Sequence, residues 1–416
     1  MRVRDFIKIN QYSYSSKDKW KYICYLDTGN ITENRIDEIV KLSPLVDKIP
    51  SRAKRKVKKG NIIYSTVRPN QKHYGYIDKE YDNLLVSTGF VVIDVDESTA
   101  DGKYFYYWLT QEKNTNYLQT IAENNVATYP SIAPKDIENM SIELPSVIIQ
   151  QKIAKILSNY DDLIENNNRR IKILEEMAQK IYKEWFVDFK FPGHETTTFK
   201  DSELGKIPKG WTIEKVSNIS KLSKGKSYKS SELVDNNSGL PFLNLKCIER
   251  DGGFKREGLK WFVGKYNDSH IVLPEDIIMA VTDMTQERRL VARPARIPHN
   301  WFNKYIMSMD LVKLMPNIDI NKTYFYCLLK YSKFSDEVKN HANGANVLHL
   351  NPQNIENFEL VIAKKETREL FGKIVKNIYN EIDLLNLKNE KLKQSRDILL
   401  PRLISGEVDV EDLEIK

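Results

Sequence analysis

Apolar residues return at three- and four-residue steps along two long stretches of this 416-residue chain, and each stretch reads as one helix. The first begins after Pro145, with Ser146 placed to cap it, and runs toward Pro192-Gly193. Its seam carries Tyr160, Asn167, Leu174 and Ile181 in one row, and Ile164, Ile171, Ala178 and Trp185 in the next. The second carries Ile378, Leu385, Leu392 and Leu399, with Ile382, Asn389, Arg396 and Leu403 beside them. Seven-residue spacing marks helices that pack as a coiled coil, and Leu174, Ile181, Leu385 and Leu392 are the expected pairing positions. Asn167 and Asn389 interrupt the apolar rows. They sit either at a solvated edge or at positions that fix register and helix orientation. Pro401 lacks an amide hydrogen and is expected to end or kink the second helix.

Outside the helices the runs are short. Asn61–Thr66, Leu84–Val95 and Asp276–Val281 read as strands, with turn signals such as Asp251-Gly252-Gly253 between some of them. The chain also repeats itself. Pro134–Asn139 returns as Pro352–Asn357 at a shift of 218 residues, and the same shift carries Ile164 onto Ile382 and Leu174 onto Leu392. Tyr104-Phe105-Tyr106 returns as Tyr324-Phe325-Tyr326, and Gly60–Ile63 resembles Glu275–Ile278. The expected fold is therefore α+β: two pseudo-repeated α/β units separated by two long helices that pair as an antiparallel coiled coil. The boundaries are a first unit at 1–145, a central helix at 146–192, a linker at 193–205, a second unit at 206–363, and a C-terminal helix and tail at 364–416.

Composition narrows the class. Hydrophobic residues at 41% supply real cores, and Cys24, Cys247 and Cys327 lie too far apart for a zinc site or a disulfide framework. The opening residues carry no apolar run of a secretory signal, and no long uncharged apolar run exists for a membrane span, so a soluble, cytoplasmic protein is expected. The net charge of +7 is compatible with a nucleic-acid partner without demanding one. Its distribution says more. Between Lys48 and Lys72 nine lysines and arginines occur with no acid, so the stretch cannot neutralise itself locally. Lys54, Arg55, Lys56, Lys58, Lys59, Arg68, Lys72 and His73 are candidates for phosphate or base contacts. In the second half the candidates are Lys224, Lys226, Tyr228 and Lys229, then Arg288, Arg289 and Arg293, arginine being suited to bidentate contact with guanine. For any of these the plainer reading is a solvated basic face.

Catalytic signatures fail on inspection. Gly225-Lys226-Ser227 ends like a phosphate-binding loop, but Ser220 stands where the first glycine is required. Asp188-Phe189-Lys190 has the Asp-x-Lys spacing of metal-dependent nucleases, yet it falls at the end of a helix among aromatics. Asn351-Pro352-Gln353-Asn354 lacks the second proline and the aromatic with which an adenine methyltransferase grips its flipped base. The six histidines show no metal-ligand clustering, and no metal site is expected.

These residues resemble a known family. The stretch from Gln150-Gln151-Lys152-Ile153 through Asn168-Arg169-Arg170-Ile171 to Trp185-Phe186-Val187-Asp188-Phe189 is similar to the central region of type I restriction–modification specificity subunits. Gly205–Trp211 resembles the usual lead-in to their second target-recognition domain, and Leu399–Gly406 their C-terminus. The resemblance implies a subunit without catalytic residues in which each recognition domain reads one half of a split double-stranded DNA site. It also implies two methyltransferase subunits docked on the helices, and motor-nuclease subunits that join for restriction. S-adenosylmethionine, ATP and Mg2+ would belong to those partners, with no cofactor in this chain. Two readings from other classes stand beside it: an enzyme with its own diverged nuclease or methyltransferase site, and a coiled-coil adaptor with no DNA role.

Overall fold

The computed structural model describes the whole chain except residues 16, 125–128, 236–237 and 415–416. The chain divides into two compact units. One is made of Met1–Ile164 together with Lys391–Lys416, and the other of Glu165–Glu390. The central helix, Val147–Tyr182, and the C-terminal helix, Lys365–Ile404, therefore each give a segment to both units.

In the first unit an antiparallel sheet runs in the order Ile7–Ile9, Phe90–Val95, Ile62–Ser65, Tyr74–Tyr76. A second sheet runs Val40–Leu42, Ile23–Leu26, Leu84–Ser87, Ala53–Lys56, and its middle pair is parallel. Leu84–Ser87 and the first four residues of Phe90–Val95 are buried without alternation, as expected of strands covered on both faces. One sequence run thus yields two strands, broken at residues 88–89. The short helix Gly102–Leu109 is buried nearly all round, and Asp101 caps it by accepting from the Tyr104 amide.

The second unit repeats this plan. Its antiparallel sheet runs Ser220–Lys224, Leu311–Pro316, Ile277–Ala280, Pro294–Arg296, and Leu311–Pro316 has the same burial pattern as Phe90–Val95. A five-stranded sheet again holds one parallel pair, Leu240–Leu243 beside Tyr305–Met307. Asn321 caps the helix Lys322–Tyr331 as Asp101 caps its counterpart. Gly60 and Glu275 precede equivalent strands and both turn through positive φ, +89° and +65°. At Glu275 a side chain tolerates what glycine does freely.

The seam residues are inward along both helices. In the second unit Tyr182 meets Phe371, Arg170 bonds Glu381, and Asn167 bonds Asn389, so the two segments run antiparallel. Leu385 is buried, while Leu174 and Ile181 pack partly buried on the same core. Leu392, in the first unit, is half-buried. There Asp161 bonds Arg396 and Lys152 bonds the Val410 and Glu411 carbonyls, antiparallel again. Leu403 and Val410 join the core that holds Val3, Phe6, Ile137 and Leu157. Ser146 caps the central helix through the Ile149 amide, as its position predicts. Two expectations need correction. The central helix ends at Tyr182 and passes into a wider π turn over Lys183–Val187, short of Pro192. Pro401 does not end the C-terminal helix, which continues to Ile404. Proline costs one hydrogen bond there, and the last turn holds because Leu403 and Ile404 are anchored in the core.

Candidate nucleic-acid interface

The acid-free stretch of the first unit is less free of partners than its sequence predicts. The local count fails because the fold brings acids from elsewhere. Lys56 pairs with Asp18 at 2.5 Å and lies over the Trp20 ring, and Lys58 pairs with Asp94 at 3.0 Å. Lys72 sits between Glu33 and Glu112 at 3.2 and 3.1 Å. Burial alone would lower the Lys72 pKa, but those carboxylates outweigh it and raise it, so the ammonium stays charged and committed. His73 is also held, its Nδ1 2.6 Å from the Ile31 carbonyl. Arg55 is half-buried, bonds the Thr88 carbonyl, and is pushed below its ordinary pKa by burial.

Lys54 and Lys59 are different. Both are exposed, and neither ammonium has a partner among the described residues. Lys54 falls where the edge strand Ala53–Lys56 shifts register against Leu84–Ser87, between Ala53 and Arg55. Such a bulge re-aims a side chain and ends regular pairing. Lys59 stands in the turn that Asn61 closes by accepting from the Lys58 amide. Arg68, exposed at a φ of +49°, stacks over Tyr129. The candidates split into two places. Lys56 lines a shallow recess with Lys8, Tyr12, Asn61 and Asp94. Lys72 lines a separate cleft of about 250 Å³ with Glu33, Tyr106, Tyr107, Gln111 and Arg396.

In the second unit Lys224 and Lys229 are exposed, and Lys226 lies beside Ser308 in extended backbone. Gly225 packs so tightly there that a Cβ would stand 1.9 Å from the Ser308 carbonyl oxygen. This segment is a strand edge, with none of the geometry of a phosphate-binding loop. Burial, with the nearby Lys226 charge, lowers the His270 pKa. Tyr228 is turned inward against Phe242. Arg288 bonds the Ala342 carbonyl and Arg289 pairs with Asp251. Arg293 is only 9% exposed and bonds Asp336 at 2.8 Å, so its guanidinium serves packing within the unit.

Arg288 and Arg289 belong to a loop that the sequence marked by its charges and not by its fold. Asp283 is fully buried and accepts from the amides of Thr285, Leu290 and Val291 and from the Thr285 hydroxyl. Burial would raise its pKa, but those donors hold it below the usual carboxylate range. The loop it gathers leaves Met284, Gln286 and Glu287 exposed. Arg288 and Arg289 drew attention to the segment, but Asp283 and Thr285, which build the loop, are too common a pair to mark it in the sequence.

The nuclease-like Asp188-Phe189-Lys190 is structural. Asp188 pairs with Lys183, and the Phe189 ring packs 5.6 Å from Trp211. Asn351 and Pro352 form a helix N-terminus, Asn351 capping the Gln353 amide. No helix among the described residues is long and apolar enough to cross a membrane.

Comparison with known proteins gives a consistent answer. Residues 1–176 and 208–394 match the family described as type I restriction modification DNA specificity domain. The type I restriction enzyme HindI specificity subunit of Haemophilus influenzae is 24% identical, over 93% of this chain and 94% of that one. The MjaIX specificity subunit of Methanocaldococcus jannaschii is 28% identical, over 95% and 85%. Among solved structures, the type I restriction–modification S subunit from M. genitalium shares the fold, with a TM-score of 0.53 at 17% identity over 97% of this chain and 95% of that one.

Proposed function

The chain belongs to the type I restriction–modification DNA specificity family, and on that premise we propose that each of its two units reads one half of a split DNA site. The repeat is the observation that carries this. Two units with the same strand order in one sheet, a parallel pair in the other and equivalent capped helices each present basic side chains on sheet edges. Of the candidate lysines, Lys54 and Lys59 in the first unit and Lys224 and Lys229 in the second are exposed with no side-chain partner among the described residues, and these would meet phosphate. Gln286 of the Asp283 loop is exposed but donates its Nε2 to the Gly344 and Ala345 carbonyls, bonds it would exchange for a base edge.

The two helices pair along their length as an antiparallel coiled coil and carry the partner subunits. Those partners are two methyltransferase subunits with S-adenosylmethionine, and motor-nuclease subunits with ATP and Mg2+. The chain itself contributes recognition and contributes no reacting group. An enzyme reading gains nothing from Asp188, which is bound to Lys183 beside packed aromatics. An adaptor reading leaves the duplicated basic edges unexplained. The test is to produce the chain with the methyltransferase subunit of its own system and map methylated adenines. Two short conserved blocks separated by a fixed unspecified gap are expected. A contiguous site, or methylation independent of this chain, would refute the reading.

A further inference from the structure

Asn167 and Asn389 are buried, and they bond each other: the Asn167 Nδ2 donates to the Asn389 Oδ1 at 2.8 Å. The Asn389 Nδ2 in turn donates to the Asn168 Oδ1 at 2.9 Å. Neither sits at a solvated edge. The repeat makes this pair unusual. At the shift of 218 residues, Asn167 is equivalent to Leu385, and Asn389 to Ile171. The two asparagines therefore occupy inequivalent positions of two otherwise similar seams.

Two similar seams can pair in two ways. The central helix can take the C-terminal helix, as observed, or each helix can take its own counterpart from a second copy of the chain. Keeping the observed register, like-with-like pairing would set Asn167 against Ile171 of the other copy, and Asn389 against Leu385. Each mismatch would occur twice: Asn167 would lose its partner amide to an isoleucine, the situation that buried polar groups avoid, and Asn389 would exchange two amide partners for one, Asn386 being the equivalent of Asn168. A second polar contact, in the other unit, obeys the same logic. Asp161 bonds Arg396 at 2.5 Å, and the Tyr107 hydroxyl donates to Asp161 at 2.5 Å. Their equivalents are Tyr379 and Ala178, so like pairing would place Asp161 beside Ala178 and Arg396 beside Tyr379.

We propose that the Asn167–Asn389 pair selects the partner helix: it holds the central helix to the C-terminal helix and rejects pairing with a second copy of itself. A polar seam residue that fixes orientation at some cost in stability is a recognised device. Here its off-centre position in a repeat converts orientation into a choice between unlike and like helices. The selection stands whether or not the two units read DNA. If they do, it keeps two different units on one helix pair, so the two half-sites differ.

The test uses the full-length chain carrying Arg170→Cys. Arg170 flanks the seam, where it bonds Glu381 of the C-terminal helix. In the observed register the axis of a like pair of central helices passes beside it, at position 169, so two copies would bring their position-170 side chains together on one side of the seam. Chains are refolded together at high concentration and treated with a short bis-maleimide linker, and covalent dimers that depend on Arg170→Cys are measured. In the wild-type seam these should be rare. The pair Asn167→Ile with Asn389→Leu makes both seams aliphatic and should raise the dimers several-fold. Adding Ile171→Asn and Leu385→Asn moves the amide pair to the equivalent layer and should return them to the wild-type level. Equal dimer yields in all three would overturn the proposal. Thermal unfolding of the same chains closes the remaining escape. Asn167→Ile alone should be less stable than both the wild type and the double variant, and strictly additive effects would also overturn the proposal.

Discussion

Among the basic candidates of the first unit, Lys54 and Lys59 are exposed and have no ammonium partner among the described residues. Their neighbours Lys56 and Lys58 pair with Asp18 and Asp94. Exchanging Lys54 and Lys59 for alanine should weaken DNA binding by the assembled methyltransferase and flatten its salt dependence. Each lost phosphate contact lowers the slope of log affinity against log salt by about 0.9. The same change at Lys56 should instead disturb the fold around Trp20 and leave the slope nearly unaltered. Binding measured at several salt concentrations decides between them. The sequence could flag the stretch because charge density is local, but it could not sort the eight candidates. Their acids come from Asp18, Glu33, Asp94 and Glu112, which only folding brings near.

At the scale of elements, the helices were legible and the loops were not. A heptad seam is written in the residue types themselves, so its inward positions follow from period alone, whereas the burial of Asn167 depends on what the other helix presents. The Asp283 loop has no periodic signature at all. Its test is pH. Asp283 has a folded pKa below the unfolded one, so its contribution to stability is complete above the unfolded value and lost as pH falls through the folded value. Asp283→Asn should therefore destabilise the chain by about 1–3 kcal/mol near neutrality. The gap between variant and wild type should narrow below about pH 4, the ordinary carboxylate range. Denaturant midpoints across that range measure it, and a constant gap would mean that the carboxylate charge is irrelevant to the loop.

For the whole molecule, the duplication predicts modular behaviour. Replacing residues 212–362 with the corresponding segment of a relative should change one half of the methylated sequence and leave the other half intact. The first unit draws no part of its core from that segment. Simultaneous loss of both halves, with the assembly intact, would show that the units do not read independently. The strand order within each unit was beyond sequence reasoning, since short buried strands such as Leu84–Ser87 carry no alternation to mark their faces.

The first unit is also discontinuous, and this ties its folding to the order of synthesis. Leu403 and Val410 complete a core whose other members include Val3, Phe6 and Leu157. About 230 residues, Glu165–Glu390, are translated between those two contributions. At about 5–20 residues per second, the nascent first unit waits roughly 10–45 s with an apolar face uncovered. The second unit, contiguous in the chain, can close meanwhile. The half made first is thus the half finished last, and during that interval its unfinished core is open to chaperones, proteases and neighbouring nascent chains.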